Sequence, residues 1–176
     1  MIVSKRILIA VGVVIVIIAL VIAVPKISPS GQGATNTPTE MRIEFIKEEM
    51  KRVSFGVTES VGAEKSETLT IMDDGTAFYN VNVEGERGSQ TKFQAGAQEL
   101  KRIKALIAET GFMQIPREQF EPRDGVMEFT RYTLTATLGS STKTIQWVDE
   151  ESSKDSVPAL LARLKDSLLE LIKNHQ

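Results

Sequence analysis

Residues 67–83, ETLTIMDDGTAFYNVNV, carry the strongest fold signal in this sequence. Two runs in which apolar and polar residues alternate, 67–72 and 76–83, stand on either side of Asp73-Asp74-Gly75. Asp-Gly between such runs is typical of a tight hairpin turn, because glycine adopts the positive φ that these turns require. The stretch therefore predicts two antiparallel strands rather than a calcium loop, whose acidic residues would alternate and end in a distal glutamate.

The residues on either side of this hairpin extend the prediction. Residues 52–59, RVSFGVTE, place Val53, Phe55 and Val57 on one face, which is the pattern of a half-buried strand. Residues 41–51 fit either a strand or one face of a helix, and both interpretations stay open. On the other side, residues 84–88 predict a looser turn that leads toward Lys92 and Phe93.

A helix and a second hairpin are predicted in the middle of the chain. Apolar residues at helical spacing indicate a helix over 97–110, and Gly111 supplies its C-terminal stop. Alternation over 131–138 and 143–148 then predicts two more strands, joined by a short polar turn.

The last helix is predicted over 157–173, where leucines recur at core spacing. Ser156 is the expected N-cap, and Pro158 fits the first turn because its missing N–H has no helical partner there. In the second hairpin, Tyr132 and Trp147 fall on the inward phase, so we expect both rings in the core.

The element order of hairpin, helix, hairpin and helix predicts an α+β fold for residues 41–176. We expect an antiparallel sheet of about five strands with two helices packed on one face. In this prediction an N-terminal transmembrane helix precedes the domain.

The evidence for that helix is the segment ILIAVGVVIVIIALVIAV, Ile7 to Val24, which contains no polar side chain. As a helix it would be about 27 Å long, close to the hydrocarbon thickness of a bilayer. Lys5 and Arg6 precede it and only Lys26 follows closely, which favours a cytoplasmic N-terminus and an extracytoplasmic domain. We therefore predict that residues 1–24 form a single-pass anchor in the cell membrane, with residues 7–24 contacting the lipid bilayer.

A signal peptide cleaved after Ala23 is the alternative, although signal peptides usually have apolar regions of about 7–15 residues. Both interpretations export the domain. Residues 25–40 contain three prolines and two glycines and predict a flexible stalk.

Composition argues against several kinds of chemistry. The chain has no cysteine, which excludes disulfides, thiol nucleophiles and thiolate metal ligands, and its single histidine, His175, is the penultimate residue. Beyond residue 40 there are 18 basic and 22 acidic residues, a net charge of −4, which provides no basic surface for nucleic acid. We therefore expect no catalytic residue, no cofactor and no nucleic-acid partner.

Acidic residues cluster in two predicted loops, and convergent carboxylates are the groups that run acid–base chemistry or hold a hard cation. Interleaved arginines favour a solvated surface instead. The weak candidates for a metal site are Glu118, Glu121, Asp124 and Asp149, with Glu128, Glu150 and Glu151 beside them. No other metal site is expected.

Five stretches carry a resemblance to known proteins: LTIMDDGTAFYN, ETGFMQIP, RYTLTATLG, KTIQWVDE and VPALLARLKDSLLELIK. Together they resemble a group of small uncharacterised archaeal proteins that have a single-pass membrane anchor and an exported α+β domain of unknown function. The shared features are an I-x-x-DGT hairpin and a helix ending in GFF or GFM, and the resemblance spans residues 53–173. It implies a fold and a location, but no chemistry.

The succession of anchor, stalk and domain predicts a non-enzymatic, membrane-tethered extracytoplasmic module that binds an envelope protein or glycan. Two alternatives stay open. The domain is a carboxylate-dependent hydrolase or divalent-cation-binding domain that uses the acidic loops, or it is an accessory subunit of a membrane complex.

Overall fold

The computed structural model describes residues 40–56 and 58–176, and the anchor and stalk predicted before Glu40 lie outside them. The described residues form six strands, two α-helices and one short 3-10 turn. In chain order these are β1 (Met41–Phe55), β2 (Thr58–Ile71), β3 (Thr76–Val83), β4 (Glu86–Gln94), α1 (Ala97–Ala108), the 3-10 turn (Phe112–Gln114), β5 (Glu128–Leu138), β6 (Ser141–Val148) and α2 (Ala159–Asn174).

The six strands make one sheet in the order β4-β3-β2-β1-β5-β6, and every neighbouring pair is antiparallel. The first four strands follow one another as a meander. The chain then passes through α1 and returns to pair β5 with the free side of β1. The two longest strands, β1 and β2, therefore lie at the centre, and β4 and β6 are the edges.

Both helices pack on one face of the sheet, where the strands present their apolar side chains. In β1, for example, Ile43 and Phe45 are fully buried in the same core as Leu161 and Leu164 of α2. Tyr132 and Trp147 are 7% and 2% exposed, so the prediction that these rings lie in the core is confirmed. Burial of this face is the main stabilising contribution, because each fully buried aliphatic side chain contributes about 1.5–3 kcal/mol.

The opposite, helix-free face is largely polar and carries threonine pairs such as Thr135–Thr144, whose hydroxyl oxygens are 2.9 Å apart. One end of it differs. A register shift opposite Glu49 and Met50 leaves Glu64 as an extra residue in β2, which re-aims the side chains beyond it. A second, small apolar cluster of Met50, Phe129 and Val148 forms at that end.

The fold class predicted from the sequence is wrong in its layout. The described chain is mainly a six-stranded sheet built as a four-stranded meander, helix, hairpin and helix, in place of five strands in hairpin–helix–hairpin–helix order. The strand that was missed is β4. Its residues are almost all exposed, so it has no apolar alternation and is held by backbone pairing to β3. Glu84 and Gly85, both at positive φ, make the turn before it tight rather than loose.

Part of the predicted layout was a transmembrane helix. Among the residues that the structure describes, no helix combines the length and the apolar composition needed to cross a membrane. The predicted anchor, residues 1–24, and the predicted stalk, apart from Glu40, lie outside those residues.

Several element boundaries also differ from the predictions. Residues 41–51 are strand, and they continue as β1 to Phe55, where Gly56 turns the chain into β2. The predicted separate strand at 52–59 is therefore wrong. It straddles this turn, and Val53 is 40% exposed. The last helix begins at Ala159 with Pro158 in the N-cap position, so the prediction of Ser156 as the N-cap is wrong.

Candidate functional site

A buried charged group, absent from the predicted sites, lies on the helix-facing side of the sheet. Glu67 of β2 is only 8% exposed. One carboxylate oxygen, Oε1, accepts hydrogen bonds from Lys65 Nζ at 2.8 Å and Lys47 Nζ at 3.1 Å. The other, Oε2, accepts a 2.7 Å hydrogen bond from the hydroxyl of Tyr79. The carboxylate is thus satisfied by three donors from three adjacent strands.

These contacts fix the protonation states at neutral pH. Burial raises the pKa of Glu67, but the hydrogen bonds from Lys65, Tyr79 and Lys47 outweigh it and lower the pKa to about 2. Burial and the neighbouring Glu67 carboxylate raise the pKa of Tyr79 well above its ordinary value near 10. Glu67 is therefore a fixed anion and Tyr79 a fixed neutral donor, which suits a structural role. A general base or acid would need a pKa nearer the working pH.

Next to Tyr79 an open groove of about 740 Å³ runs along the β3–β4 hairpin and the end of the chain. Val81 and Val83 line it, and Val83 is 52% exposed. His175, just after α2, stacks on Phe93 of β4 with ring centroids 4.4 Å apart. This contact seats the C-terminal end of α2 against β4 and leaves the groove open beyond it.

The outer edge of β4 offers backbone hydrogen-bonding groups. Ala95 N–H donates to Gly75 C=O at 2.9 Å, which makes that pair a hydrogen-bonded pair of the ladder. Hydrogen-bonded and non-hydrogen-bonded pairs alternate in antiparallel strands. Gln90, Lys92 and Gln94, each opposite an even-numbered residue of β3, therefore point their N–H and C=O groups away from β3.

The other edge of the sheet is covered at one end, around Gln146. Residues before β5 run beside β6, where Phe120 N–H donates to Gln146 C=O at 2.9 Å and Gln146 N–H donates to Glu118 C=O at 2.8 Å. Gln119 and Gln146 form a parallel bridge there. By the same alternation, the backbone groups of Thr142 and Thr144 in β6 also point outward, and no described backbone group pairs with them. Both edges therefore have open strand groups, and β4 is the edge whose open groups lie beside the groove.

The acidic residues singled out from the sequence take different positions. Glu118 pairs with Lys143 at 2.9 Å, and Glu121 and Asp124 are exposed. The Asp149 carboxylate accepts N–H groups of Thr130 at 2.8 Å and Ser152 at 2.9 Å, so it organises its own loop.

The two acidic loops do touch through their backbones, since Arg123 N–H donates to Ser152 C=O at 2.8 Å and Lys154 N–H donates to Glu121 C=O at 2.9 Å. Glu121 lines one pocket, whereas Glu128 lines another together with Asp149 and Glu151. Among the described residues, no three acidic or histidine side chains are grouped so that they could hold a metal ion.

Sequence reasoning missed Glu67, although a signal for it exists. Glu67 shares the inward phase of β2 with Leu69 and Ile71, and a charge on such a phase indicates a buried ion pair. The sequence contains no comparable signal for the open edge of β4, because the strand order of the sheet decides which strand lacks a neighbour.

No protein-family model matches this chain, and no curated protein matches it either. The resemblance to archaeal membrane-anchored proteins therefore stays a prediction.

Proposed function

We propose that this chain is a membrane-tethered, extracytoplasmic interaction module that binds an extended segment of an envelope protein along β4. The tether and the location are supported by the apolar segment at 7–24 and the basic residues before it. The binding surface is supported by one observation above all. The backbone of Gln90, Lys92 and Gln94 faces outward beside an open groove that Thr91 lines, whereas among the described residues the opposite edge has no such groove and is partly covered at Gln146.

An unpaired edge strand binds an extended polypeptide through main-chain hydrogen bonds, and pockets beside it select alternate side chains. At this edge, side chains on one face of an added strand would lie on the groove side. There Val81 and Val83 provide an apolar floor, and Tyr79 and Arg87 provide polar groups. The chemistry fits a short protein segment with one or two apolar side chains.

Two features restrict what this edge accepts. Lys92 places a charge on it, and charged edge residues oppose indiscriminate strand pairing. A register shift between Asn80 and Asn82 bulges β4 around Gly88 and Ser89 and interrupts the regular ladder. The site is therefore short, about residues 90–94, which fits a transient interaction better than a permanent one.

The test uses the full chain in its native membrane, with a photo-crosslinking amino acid at Gln90 on the β4 edge. The same amino acid at Ser140, in the exposed turn between β5 and β6, is the reference. Lys92→Pro removes one outward N–H without removing a ladder hydrogen bond, and Lys92→Ala is its matched control because it keeps that N–H. The proposal expects a discrete protein adduct from Gln90 that persists in Lys92→Ala and is lost in Lys92→Pro.

An adduct of equal yield from Ser140, or one unaffected by Lys92→Pro, would overturn the proposal. So would an adduct that consists of two copies of this chain. A thermal melt of each variant shows that loss of the adduct is not loss of folding. Blue-native electrophoresis of the same membranes addresses the alternative of an accessory subunit, which migrates in a stoichiometric complex even when Lys92→Pro is present.

A further inference from the structure

A pocket of about 290 Å³ lies on the helix-free face, away from the β4 groove, between strands β1, β5 and β6 and residues 119–122. Val61, Phe129 and Val148 supply its apolar surface. The extra residue in β2 creates it, because the register shift at Glu64 turns Val61 toward this face, opposite Arg52.

Two arginines line this pocket, one on β1 and one on β5. The side chain of Arg52 is 20% exposed, and its Nε is buried with no hydrogen-bond partner in the described structure. Its Nη1 lies 3.5 Å from the exposed carboxylate of Glu59, a long contact. Arg131 is better held, since its Nε donates to Glu48 at 2.8 Å.

The unpaired Nε of Arg52 indicates that the pocket can accept an anionic hydrogen-bond acceptor. A buried donor left without an acceptor costs about 1–3 kcal/mol, so buried donors in native proteins are normally paired with a protein group, a water molecule or a ligand. A guanidinium presents a planar fork that matches a carboxylate in bidentate geometry. Here the fork borders an apolar surface, and Glu59 and Glu121 are the nearby carboxylates that compete for it.

We propose that this pocket binds a small carboxylate that carries an apolar group, with Arg52 as its principal anchor and Arg131 as a second donor. The apolar group packs on Val61, Phe129 and Val148. The acid is either a free organic acid or the C-terminal residue of a peptide, since both present the same chemistry. This site rests on observations separate from those that support partner binding at β4.

The experiment is an NMR titration of the full chain with four probes of matched design. Hexanoate represents the free acid, and N-acetyl-leucine represents a peptide C-terminus. Hexanol keeps the apolar group without the charge, and inorganic phosphate keeps the charge without the apolar group. The readouts are the Arg Nε–Hε signals and the amide signals of Val61 and Phe129.

The proposal expects both acids to shift the Arg52 Nε–Hε signal saturably with millimolar-range affinity, while hexanol and phosphate bind at least about tenfold more weakly. The stronger of the two acids then identifies the source. Arg52→Gln should weaken acid binding by about tenfold to a hundredfold, because a charge-assisted hydrogen bond is lost. Glu59→Gln should strengthen it a few-fold by removing a competitor, and Arg87→Gln, in the other groove, should leave it unchanged.

Three results would overturn the proposal: equal binding of hexanol, equal affinity in Arg52→Gln, or an Arg52 Nε–Hε signal that stays still while other sites shift. Binding of phosphate alone would also overturn it, because the pocket would then be a general anion site in which the apolar side chains have no part in recognition. Arg52→Lys, which keeps the charge and loses the fork, should resemble Arg52→Gln, and affinity equal to that of the unaltered chain would contradict bidentate binding.

Discussion

Tyr79 donates a 2.7 Å hydrogen bond from its phenol to Oε2 of Glu67, while two lysines donate to the other carboxylate oxygen. Four polar groups from three strands thus satisfy one another on the helix-facing side of a sheet that is otherwise apolar. Removing one member of such a network leaves a buried charge unpaired, and this destabilises the fold strongly. Replacing the whole network by apolar residues of similar volume would cost less. We expect the network to dominate how stability responds to pH and to mutation at this end of the sheet.

Acid should expose the contribution of Glu67. Its pKa is lowered to about 2, so the unfolded chain binds a proton at higher pH than the folded chain does. The stabilisation is therefore fully present above about pH 4.5 and is lost as pH falls toward 2. The free energy of unfolding, measured in urea, should fall for the unaltered chain when the pH is lowered from 5 to 2. In Glu67→Gln, which lacks the carboxylate, this fall should be smaller by roughly 2–3 kcal/mol. Parallel pH curves for the two proteins would contradict this assignment.

Removal of the phenol hydroxyl should cost less and should depend on Glu67. Tyr79→Phe leaves the ring in place and deprives the carboxylate of one of three donors, so we expect a loss of about 1–2 kcal/mol at pH 7. In the Glu67→Gln background the same change should cost clearly less, because the two residues form one network. Strictly additive losses in this double-mutant cycle, measured by urea unfolding, would show that the hydrogen bond is energetically irrelevant.

Two adjacent leucines of α2 test which face of the helix packs against the sheet. Leu161 is fully buried in the core, and Leu160 is only partly buried beside it. Leu161→Ala should cost about 2–5 kcal/mol, because the truncation leaves a cavity in a packed interior. Leu160→Ala should cost clearly less. Thermal unfolding monitored by circular dichroism compares the two, and equal losses would mean that α2 turns a different face toward the sheet.

Two strand glycines differ sharply in the space around them. A Cβ on Gly88 would clash with the carbonyl oxygen of Val81, whereas a Cβ on Gly62 would have nothing within 4 Å. Gly88→Ala should therefore destabilise the fold by about 1–3 kcal/mol through forced backbone movement. Gly62→Ala, the matched control, should be neutral or stabilising by up to about 1 kcal/mol. Chemical denaturation distinguishes them, and a neutral Gly88→Ala would argue against the bulge.

Substitution of Asp149 distinguishes a structural role for its carboxylate from a role as a cation ligand. Its carboxylate accepts two backbone N–H groups, so Asp149→Asn, which replaces one acceptor with a donor, should cost about 1–3 kcal/mol. The exposed Asp124→Asn should have little effect on stability. Calorimetry with Ca²⁺ and Mg²⁺ on both variants tests the alternative of a carboxylate-dependent domain. That alternative requires the unaltered chain to bind a divalent cation and Asp149→Asn to lose it.

The sequence predicted those elements whose local pattern coincides with burial. The 67–83 hairpin forms with Gly75 at φ 84°, as the Asp-Gly signal indicates, and the inward phase of Tyr132 and Trp147 leads to the core. The failures lie where a strand extends beyond the core. Residues 58–66 of β2 and most of β4 are strand although they are largely exposed, because neighbouring backbones pair with them. Alternation of apolar and polar residues indicates a strand with one buried face. A strand that pairs through its backbone but stays exposed does not show this alternation.

The two proposed binding regions show the same limit more strongly. Arg52 and Arg131 are 79 positions apart in the sequence and line one pocket because β1 pairs with β5. Val61 joins them only because one extra residue in β2 reverses which face its neighbours occupy. The open edge at Lys92 exists because β4 is the last strand of the sheet and has no further neighbour in the described chain.

By itself the sequence determined the turn at Gly75, the apolar faces that become the core, and the absence of cysteine chemistry, because these follow from single residue types and short-range periodicity. It also supplies the apolar segment on which the proposed membrane tether depends. Only the tertiary structure decided the strand order, the buried Glu67 network, the β4 edge and the two-arginine pocket. Each of these depends on long-range pairing and register, in which a shift of one residue moves every side chain to the other face.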